Sequence, residues 1–197
     1  FLLSKGGLYK VYNNNLLYHG CIPLNEDGSF KSVKIYGRSY KGKALYEVLE
    51  SYVRKGFYAI DEKERKRGKD MMWYIWLSEN SPLFGKDKMA TFERYFLAEK
   101  ETHKEKKNPY YDFLENDKVV DRILKEFGLE HSFSHIINGH MPVKSKNGEN
   151  PMKCGGKVFV IDGGFSRAYQ KQTGIAGYTL IYNSYGMILS AHEPFES

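Results

Sequence analysis

The sequence lacks several features that would assign it at once to a class of protein. None of its apolar runs reaches the length of a transmembrane helix, about 18 residues. The apolar start, residues 1–3, is too short for a signal peptide and has no basic region ahead of it. Only two cysteines occur, Cys21 and Cys154, far apart in the sequence, which argues against a disulfide framework and a thiolate zinc site. We therefore expect a reducing, cytoplasmic location and no membrane partner.

What the sequence does contain is enough apolar material for a sizeable core. Hydrophobic residues make up 41% of the 197 residues and aromatic residues 15%, which excludes a disordered tail. Lysine and arginine exceed aspartate and glutamate by 30 − 24 = 6, and the pI is about 9.1. This balance is compatible with nucleic acid, an acidic membrane surface or phosphorylated small molecules, so charge alone does not choose. Because the chain does not begin with methionine, we expect it to be part of a longer protein.

The pattern of apolar residues changes twice along the chain. Residues 8–12 and 16–18 flank Asn13-Asn14-Asn15 and predict a hairpin. Apolar residues at helical spacing predict helices in the middle, from Leu45 to Gly56, over residues 61–76 and from Val119 to Gly128. Strand signals return at residues 135–137 and 158–161, and a second hairpin is predicted over residues 178–192. We predict an α/β fold, an α+β sandwich, with strand-rich segments at 1–40 and 131–197 and a helical insertion at 41–130.

Two of the six histidines occupy the same kind of position. His19 follows the apolar strand Leu16-Leu17-Tyr18 and precedes a glycine, and His140 follows a strand and a glycine. A histidine at the end of a buried strand beside glycine can reach a metal, because glycine lets the backbone approach closely. An ordinary hydrogen-bonded histidine is the alternative for each. We expect packing or surface roles for His103, His131, His135 and His192.

The sequence segments around these histidines resemble those of a known family. Asn14-Asn15-Leu16-Leu17-Tyr18-His19-Gly20-Cys21-Ile22-Pro23 and Ile136-Ile137-Asn138-Gly139-His140-Met141-Pro142-Val143-Lys144 resemble strand-end segments of the calcineurin-like metallophosphoesterases. Residues 81–94, 160–171 and 173–178 resemble the class III fructose-1,6-bisphosphatases of Gram-positive bacteria. The resemblance covers nearly all of the chain.

The resemblance implies a metallophosphoesterase-like fold and a two-metal site. The two later histidines of the superfamily's ligand set match His19 and His140, which would bind the same ion. Neutral imidazoles suit Mn²⁺, Fe or Zn²⁺, and the resemblance favours Mn²⁺.

The remaining family motifs are absent. The sequence has no Asp-x-His, no Gly-Asp-x-x-Asp-Arg and no Gly-Asn-His-Glu. The resemblance therefore implies the later part of an incomplete catalytic domain, with no catalytic residue in this fragment. The general acid and the carboxylate ligands are expected upstream, in a missing N-terminal half.

Substrate contacts follow from a looser resemblance to the protein phosphatases. Lys86 and Lys88 fall near a phosphate-binding arginine of those relatives, and Tyr169 falls near a tyrosine that overhangs their metals. Arg167, two residues earlier, is a further candidate for a phosphate contact. The alternative for these residues is a solvated surface position.

The resemblance implies a phosphoric monoester hydrolase that converts fructose 1,6-bisphosphate to fructose 6-phosphate and phosphate in gluconeogenesis. We expect a sugar bisphosphate as partner, no nucleic acid, and self-association into a homo-oligomer. Two alternatives stay open: a protein or nucleotide phosphatase on the same scaffold, and a basic nucleic-acid-binding module. Salt-dependent binding would identify the second.

Overall fold

Short apolar strands and amphipathic helices alternate along the chain. The computed structural model describes residues 1–193, so residues 194–197 of the third predicted segment lie outside it. The strands are β1 (Tyr9–Tyr12), β2 (Asn15–Tyr18), β3 (Val33–Ile35), β4 (Arg38–Tyr40), β5 (His135–Asn138), β6 (Met152–Lys153), β7 (Val158–Val160), β8 (Gly177–Asn183) and β9 (Gly186–His192). The helices are α1 (Leu2–Lys5), α2 (Gly42–Tyr58), α3 (Glu62–Leu77), α4 (Thr91–Phe96), α5 (Asp117–Glu126) and α6 (Arg167–Thr173).

A five-stranded mixed sheet forms the centre, in the order β1-β2-β5-β7-β6. The three inner strands β2, β5 and β7 run parallel, with Leu16 opposite Ile136 and Ile136 opposite Val158. The outer strands β1 and β6 are antiparallel to their neighbours. Since parallel strands end at the same edge of a sheet, the segments that follow β2, β5 and β7 meet there.

One face of this sheet builds the main core. Leu16, Ile136 and Val158 lie side by side on neighbouring strands and are fully buried in one cluster with the apolar stripe of α5. That stripe contains Val120 and Ile123, each 1% exposed. Asn116 immediately precedes the helix, and its side chain accepts a hydrogen bond from the Val119 N–H and so caps the N-terminus of α5.

Helices α2 and α3 form a hairpin with a smaller core of their own. Leu45, Leu49 and Met71 are buried between these helices and the short β3–β4 hairpin. The two helices touch at Gly56 and Gly68, where a Cβ added to Gly68 would lie 2.1 Å from the Gly56 nitrogen. Only glycine allows this backbone contact.

The predicted α/β class is confirmed, and the described residues contain a mixed sheet and six helices. The predicted first hairpin turns at Asn13 and Asn14, whose φ angles of 46° and 59° suit a tight turn. Helices α4 and α6 and the β3–β4 hairpin were not predicted. Within residues 1–193, every helix is too short or too polar to cross a bilayer.

Candidate metal centre

The segments that follow the three parallel strands bring a pair of histidines together. His19 follows β2, and His140 follows β5 after a single glycine. Asp162 lies just beyond β7 at the same edge. All three line one open cavity of about 600 Å³.

The two imidazole rings are in direct contact. Nε2 of His19 lies 3.0 Å from Nδ1 of His140, and the ring centroids are 4.8 Å apart. The other nitrogen of His140, Nε2, lies 2.7 Å from the backbone oxygen of Phe84. Because a carbonyl oxygen only accepts, Nε2 of His140 must carry the proton and, in a neutral ring, Nδ1 must hold a free lone pair. The two rings thus lie side by side, and their role as ligands of one ion stays a prediction.

Burial favours the neutral form of both rings. Desolvation lowers the pKa of His19, although the negative charge of Asp162 acts in the opposite direction. Desolvation and the neighbouring His19 lower the pKa of His140, while its hydrogen bond to Phe84 opposes them. A neutral imidazole is the form that ligates a metal.

Backbone contacts fix the segments that carry the histidines. The Gly139 N–H donates to the His19 carbonyl at 2.9 Å, and the Cys21 N–H donates to the Pro82 carbonyl at 2.8 Å. Gly20 is pressed against this loop, where a Cβ would lie 2.4 Å from the Pro82 oxygen. The contact with Pro82 explains the glycine after His19, whereas a Cβ at Gly139 would make only ordinary contacts, the nearest of them with the Asp162 Cβ at 3.4 Å.

A buried network of polar side chains lies beneath the same strand ends. The hydroxyls of Tyr18 and Tyr110 are 2.6 Å apart. The Asn138 amide donates to the Tyr110 hydroxyl at 3.0 Å and to the Gly20 carbonyl at 2.9 Å. The network therefore joins the end of β2 to the end of β5, one residue from each histidine segment.

The donor set fits a metal ion shared by the two histidines. Two metal–nitrogen bonds of about 2.0–2.1 Å place their nitrogens about 2.9–3.4 Å apart for bond angles between 90° and tetrahedral. The observed 3.0 Å between His19 Nε2 and His140 Nδ1 lies in this range. For both nitrogens to ligate, His19 must move its proton from Nε2 to Nδ1. The hydrogen bond from His140 to the Phe84 carbonyl is the kind of outer contact that orients a ligating histidine.

Two histidines do not make a complete centre. Among the described residues, no group of three or more histidine, cysteine, aspartate or glutamate side chains is arranged to hold a metal. Asp162 faces the same cavity, but one of its oxygens already accepts a hydrogen bond from the Gly164 N–H at 2.8 Å. Further ligands would have to come from outside these residues.

The candidate phosphate-binding lysines both have partners within the chain. Lys86 forms an ion pair with Glu105 at 2.8 Å, and Lys88 donates to the carbonyl of Thr102 at 2.8 Å. Lys86 is close enough to His140 to contribute to lowering its pKa. The structure thus brings Lys86 toward the histidine pair and ties Lys88 to a turn that starts at Lys100.

Arg167 and Tyr169 lie on α6, beyond the glycine-rich segment that follows β7. Both are exposed, and Tyr169 retains 53% of its accessible surface. Among the described residues, Phe165 rather than either of these lines the histidine cavity.

The other histidines have local partners. His135 contacts the Asn15 side chain at 3.2 Å, His103 the Leu97 carbonyl at 3.0 Å, and His192 the Thr179 hydroxyl at 2.7 Å. The His131 ring stacks on Phe133. These contacts agree with the packing and surface roles expected for them.

Asp162 faces the histidine cavity, although the sequence analysis does not single it out. The available signal was its position directly after a buried parallel strand, the same signal that marked His19 and His140. Its neighbours Gly163 and Gly164 are typical of an ordinary loop, so the sequence alone does not mark Asp162 as part of a site.

Comparison with known proteins assigns the chain to a family. The whole chain, residues 1–197, matches the family described as Firmicute fructose-1,6-bisphosphatase. It is 63% identical over 198 residues to "Fructose-1,6-bisphosphatase class 3" of Clostridioides difficile (strain 630). It is 60% identical over 198 residues to the proteins of the same name from Clostridium novyi (strain NT) and Clostridium botulinum (strain 657 / Type Ba4).

The family match extends over the full length of this α/β chain. The chain belongs to the Firmicute fructose-1,6-bisphosphatase family. All of this chain is covered in each comparison, but it spans only 30% of the length of each of these curated relatives. No solved structure matches the chain.

Proposed function

We propose that this chain supplies two metal-ligating histidines to a fructose-1,6-bisphosphatase, which hydrolyses fructose 1,6-bisphosphate to fructose 6-phosphate and phosphate in gluconeogenesis. Membership of the family and the name of the clostridial relatives support this activity for the longer protein. The alternative of a protein or nucleotide phosphatase on the same scaffold is less well supported, because the match extends over the entire chain.

The observation that carries the proposal is the geometry of the histidine pair. His19 and His140 are 121 positions apart in the sequence, yet their ring nitrogens lie 3.0 Å apart at the ends of two paired parallel strands. Core packing alone gives no reason for two partly exposed imidazoles to meet at a cavity. A shared ligand does.

A divalent metal pair bound at such a site would polarise the phosphoryl oxygens and stabilise the negative charge that develops on them. The chain's own contribution is to hold two neutral imidazoles at a fixed separation, with His140 oriented by the Phe84 carbonyl. The cavity beside them is lined by apolar groups such as Leu17 and Ile137, which would limit the access of water once a substrate covers it.

We propose that the carboxylate ligands and the general acid lie in the part of the relatives that this chain does not match, on their N-terminal side. No catalytic residue is then assigned within the chain itself. Mn²⁺ and a metallophosphoesterase-like sandwich belong to the same proposal, as does the division into segments 1–40, 41–130 and 131–197. The free thiols of Cys21 and Cys154 support a reducing, cytoplasmic location.

Lys86 is the substrate contact that the structure supports best. Its ammonium group is held by Glu105 on the side of the loop that meets His140. We keep Lys88, Arg167 and Tyr169 as further candidates for the phosphates of a sugar bisphosphate.

We also propose self-association into a homo-oligomer. Large apolar side chains are exposed on α3 and α4, among them Trp73, Trp76 and Phe96, which are 67%, 68% and 78% exposed. Light scattering on the purified chain tests this, and a strictly monomeric mass at high concentration would contradict it.

A chimera tests the function in a complete enzyme. The matching 198 residues of the Clostridioides difficile relative are replaced by this chain, and phosphate release from fructose 1,6-bisphosphate is measured with Mn²⁺. We expect hydrolysis by the chimera and none by the chain alone, because two imidazoles cannot hold a metal pair. His140→Ala in the chimera should lower turnover by about 10²–10³-fold, whereas His103→Ala should not.

Two results would contradict the proposal. Equal turnover in the His140→Ala chimera would remove the ligand assignment. A substrate panel on the chimera that favoured phosphopeptides or nucleotides over the sugar bisphosphate would remove the substrate assignment and leave the metal site standing.

A further inference from the structure

A second, smaller cavity lies behind the loop that carries His140. Its volume is about 130 Å³, and its walls include Asn138 of β5, Val160 of β7, and Met141 and Pro142 of the loop. Neither His19 nor His140 lines it. It is therefore separate from the metal centre, although it shares Asn138 with the cavity there.

Positive charge is in excess around this cavity. Its lining includes Lys107, Lys144 and Lys153 against one acidic residue, Glu149, a balance of 3 − 1 = +2. The Lys153 side chain is only 13% exposed, and its ammonium lies 3.2 Å from the Glu149 carboxylate. The Lys107 ammonium stands 5.9 Å from the ring centre of Tyr111, another lining residue. A concave wall with surplus charge of one sign concentrates ions of the opposite sign.

One residue in the cavity wall has a buried hydrogen-bond acceptor without a donor. Asn138 is 2% exposed, and its side-chain oxygen Oδ1 has no hydrogen-bond partner among the described residues. Its amide nitrogen must face the Gly20 carbonyl, which only accepts, so the orientation of the amide is determined. Asn138 lines this cavity as well as the histidine cavity, so a ligand in this cavity can supply the missing donor. A buried acceptor left unpaired is unfavourable, so a donor is expected there.

We propose that this cavity is a binding site for free inorganic phosphate. At neutral pH the ion keeps at least one P–OH group, which can donate to Asn138 Oδ1, while its other oxygens accept from the lysines. Sulfate has no such proton and would set an oxygen against Oδ1. Water would satisfy Oδ1 but leave the surplus positive charge without a counter-ion. The enclosed volume suits one tetrahedral ion rather than a sugar phosphate.

The proposal does not depend on the phosphatase activity, so it is tested without metal. Isothermal titration of the whole 197-residue chain with inorganic phosphate is carried out in a buffer that contains a chelator, and then repeated with sulfate and with glycerol phosphate. We expect one saturable site for phosphate and binding of the other two that is weaker by about tenfold or more, the loss of one charge-assisted contact.

Lysine variants locate the site. Lys107→Met and Lys153→Met should each weaken phosphate binding by about tenfold. Lys106→Met is the matched control, because it removes the same charge at the neighbouring position but pairs with Glu26 outside the cavity. It should leave phosphate binding unchanged. Lys107 is exposed, so its variant tests the site even if Lys153→Met fails to fold.

Four results would overturn the proposal. They are the absence of saturable binding, equal affinity for phosphate and sulfate, equal weakening by Lys106→Met and Lys107→Met, and glycerol phosphate binding as tightly as phosphate. Without saturable binding, the cavity would hold only water, and equal affinity for phosphate and sulfate would mean that charge alone attracts the ion. Equal weakening by the two lysine variants would mean that phosphate is attracted to the surface in general. Tight binding of glycerol phosphate would mean that the site is open to phosphate esters.

Discussion

Loss of the hydroxyl should destabilise the protein at Tyr110 but have little effect at the neighbouring Tyr111. The Tyr110 hydroxyl contacts the Tyr18 hydroxyl at 2.6 Å and accepts from the Asn138 amide at 3.0 Å. The Tyr111 hydroxyl is also buried but has no hydrogen-bond partner among the described residues apart from the weakly accepting sulfur of Cys21. Tyr110→Phe and Tyr111→Phe thus remove the same atom from similar surroundings.

The structure gives the expected magnitude for Tyr110→Phe. The Asn138 amide loses its hydrogen bond to the Tyr110 hydroxyl but keeps the one to the Gly20 carbonyl, so this loss costs about 1 kcal/mol. Tyr18 is 7% exposed and has no second hydroxyl partner among the described residues, and a buried hydroxyl left unpaired costs about 1–3 kcal/mol. Together the free energy of unfolding should fall by about 2–4 kcal/mol.

Tyr111→Phe should change the free energy of unfolding by less than about 1 kcal/mol, because replacing an unpaired buried hydroxyl loses little. Urea unfolding followed by circular dichroism measures both variants, with m-values equal to that of the wild type. Binding of Co²⁺ should also weaken in Tyr110→Phe, since Asn138 directly precedes the Gly139-His140 pair.

Equal stabilities for the two variants would refute this reasoning. The buried network would then not hold the two strand ends together, and the placement of the histidines would rest on backbone contacts alone.

Three further predictions concern the metal site, the loop beside it and the helical hairpin. His140→Ala should abolish Co²⁺ binding by the chain, measured by calorimetry, and retained affinity would mean that the ion lies elsewhere. Burial alone would raise the pKa of Glu105, but its bonds from Lys86 and the Ala90 N–H and the nearby charges hold it below its usual value. Its stabilising effect should therefore be present above about pH 4.3 and lost as the pH falls through the lower folded pKa, so the stabilities of wild type and Glu105→Gln should converge in acid; a constant gap would contradict this. Gly68→Ala should lower the melting temperature although alanine favours helix, because its Cβ would meet the Gly56 backbone at 2.1 Å, and an unchanged melting temperature would mean that the helices separate freely.

The histidine pair could be predicted because both residues follow strands with a clear apolar pattern. Once β2 and β5 are taken as parallel neighbours, the meeting of His19 and His140 follows from strand geometry. The long amphipathic helices were predictable for the same reason, since their apolar stripes extend over several turns.

Contacts between distant polar residues could not be predicted in this way. Glu105 lies in a charged run, residues 99–107, whose composition is typical of a solvated loop. It nevertheless forms an ion pair with Lys86, 19 positions away. The Phe84 carbonyl that orients His140 has no signature in the sequence, since every residue has a carbonyl. Strands of three residues, such as β3 and β4, are too short for their periodicity to be recognised.

The register of β2 against β5 sets the distance between the two histidines of the candidate metal centre. With Leu16 opposite Ile136, His19 lies three residues beyond Leu16 and His140 four residues beyond Ile136, and a slip of one residue would displace one ring by about 3.3 Å along the strand. That shift would separate the nitrogens beyond the reach of a single ion. The intervening stretch, which holds α2 to α5, contributes the Pro82 and Phe84 carbonyls and the Tyr110 hydroxyl to this geometry, but its exposed turns lie outside these contacts. Insertions and deletions in its exposed turns should therefore be tolerated by the ligand geometry, whereas a single residue added between Leu16 and His19 should not.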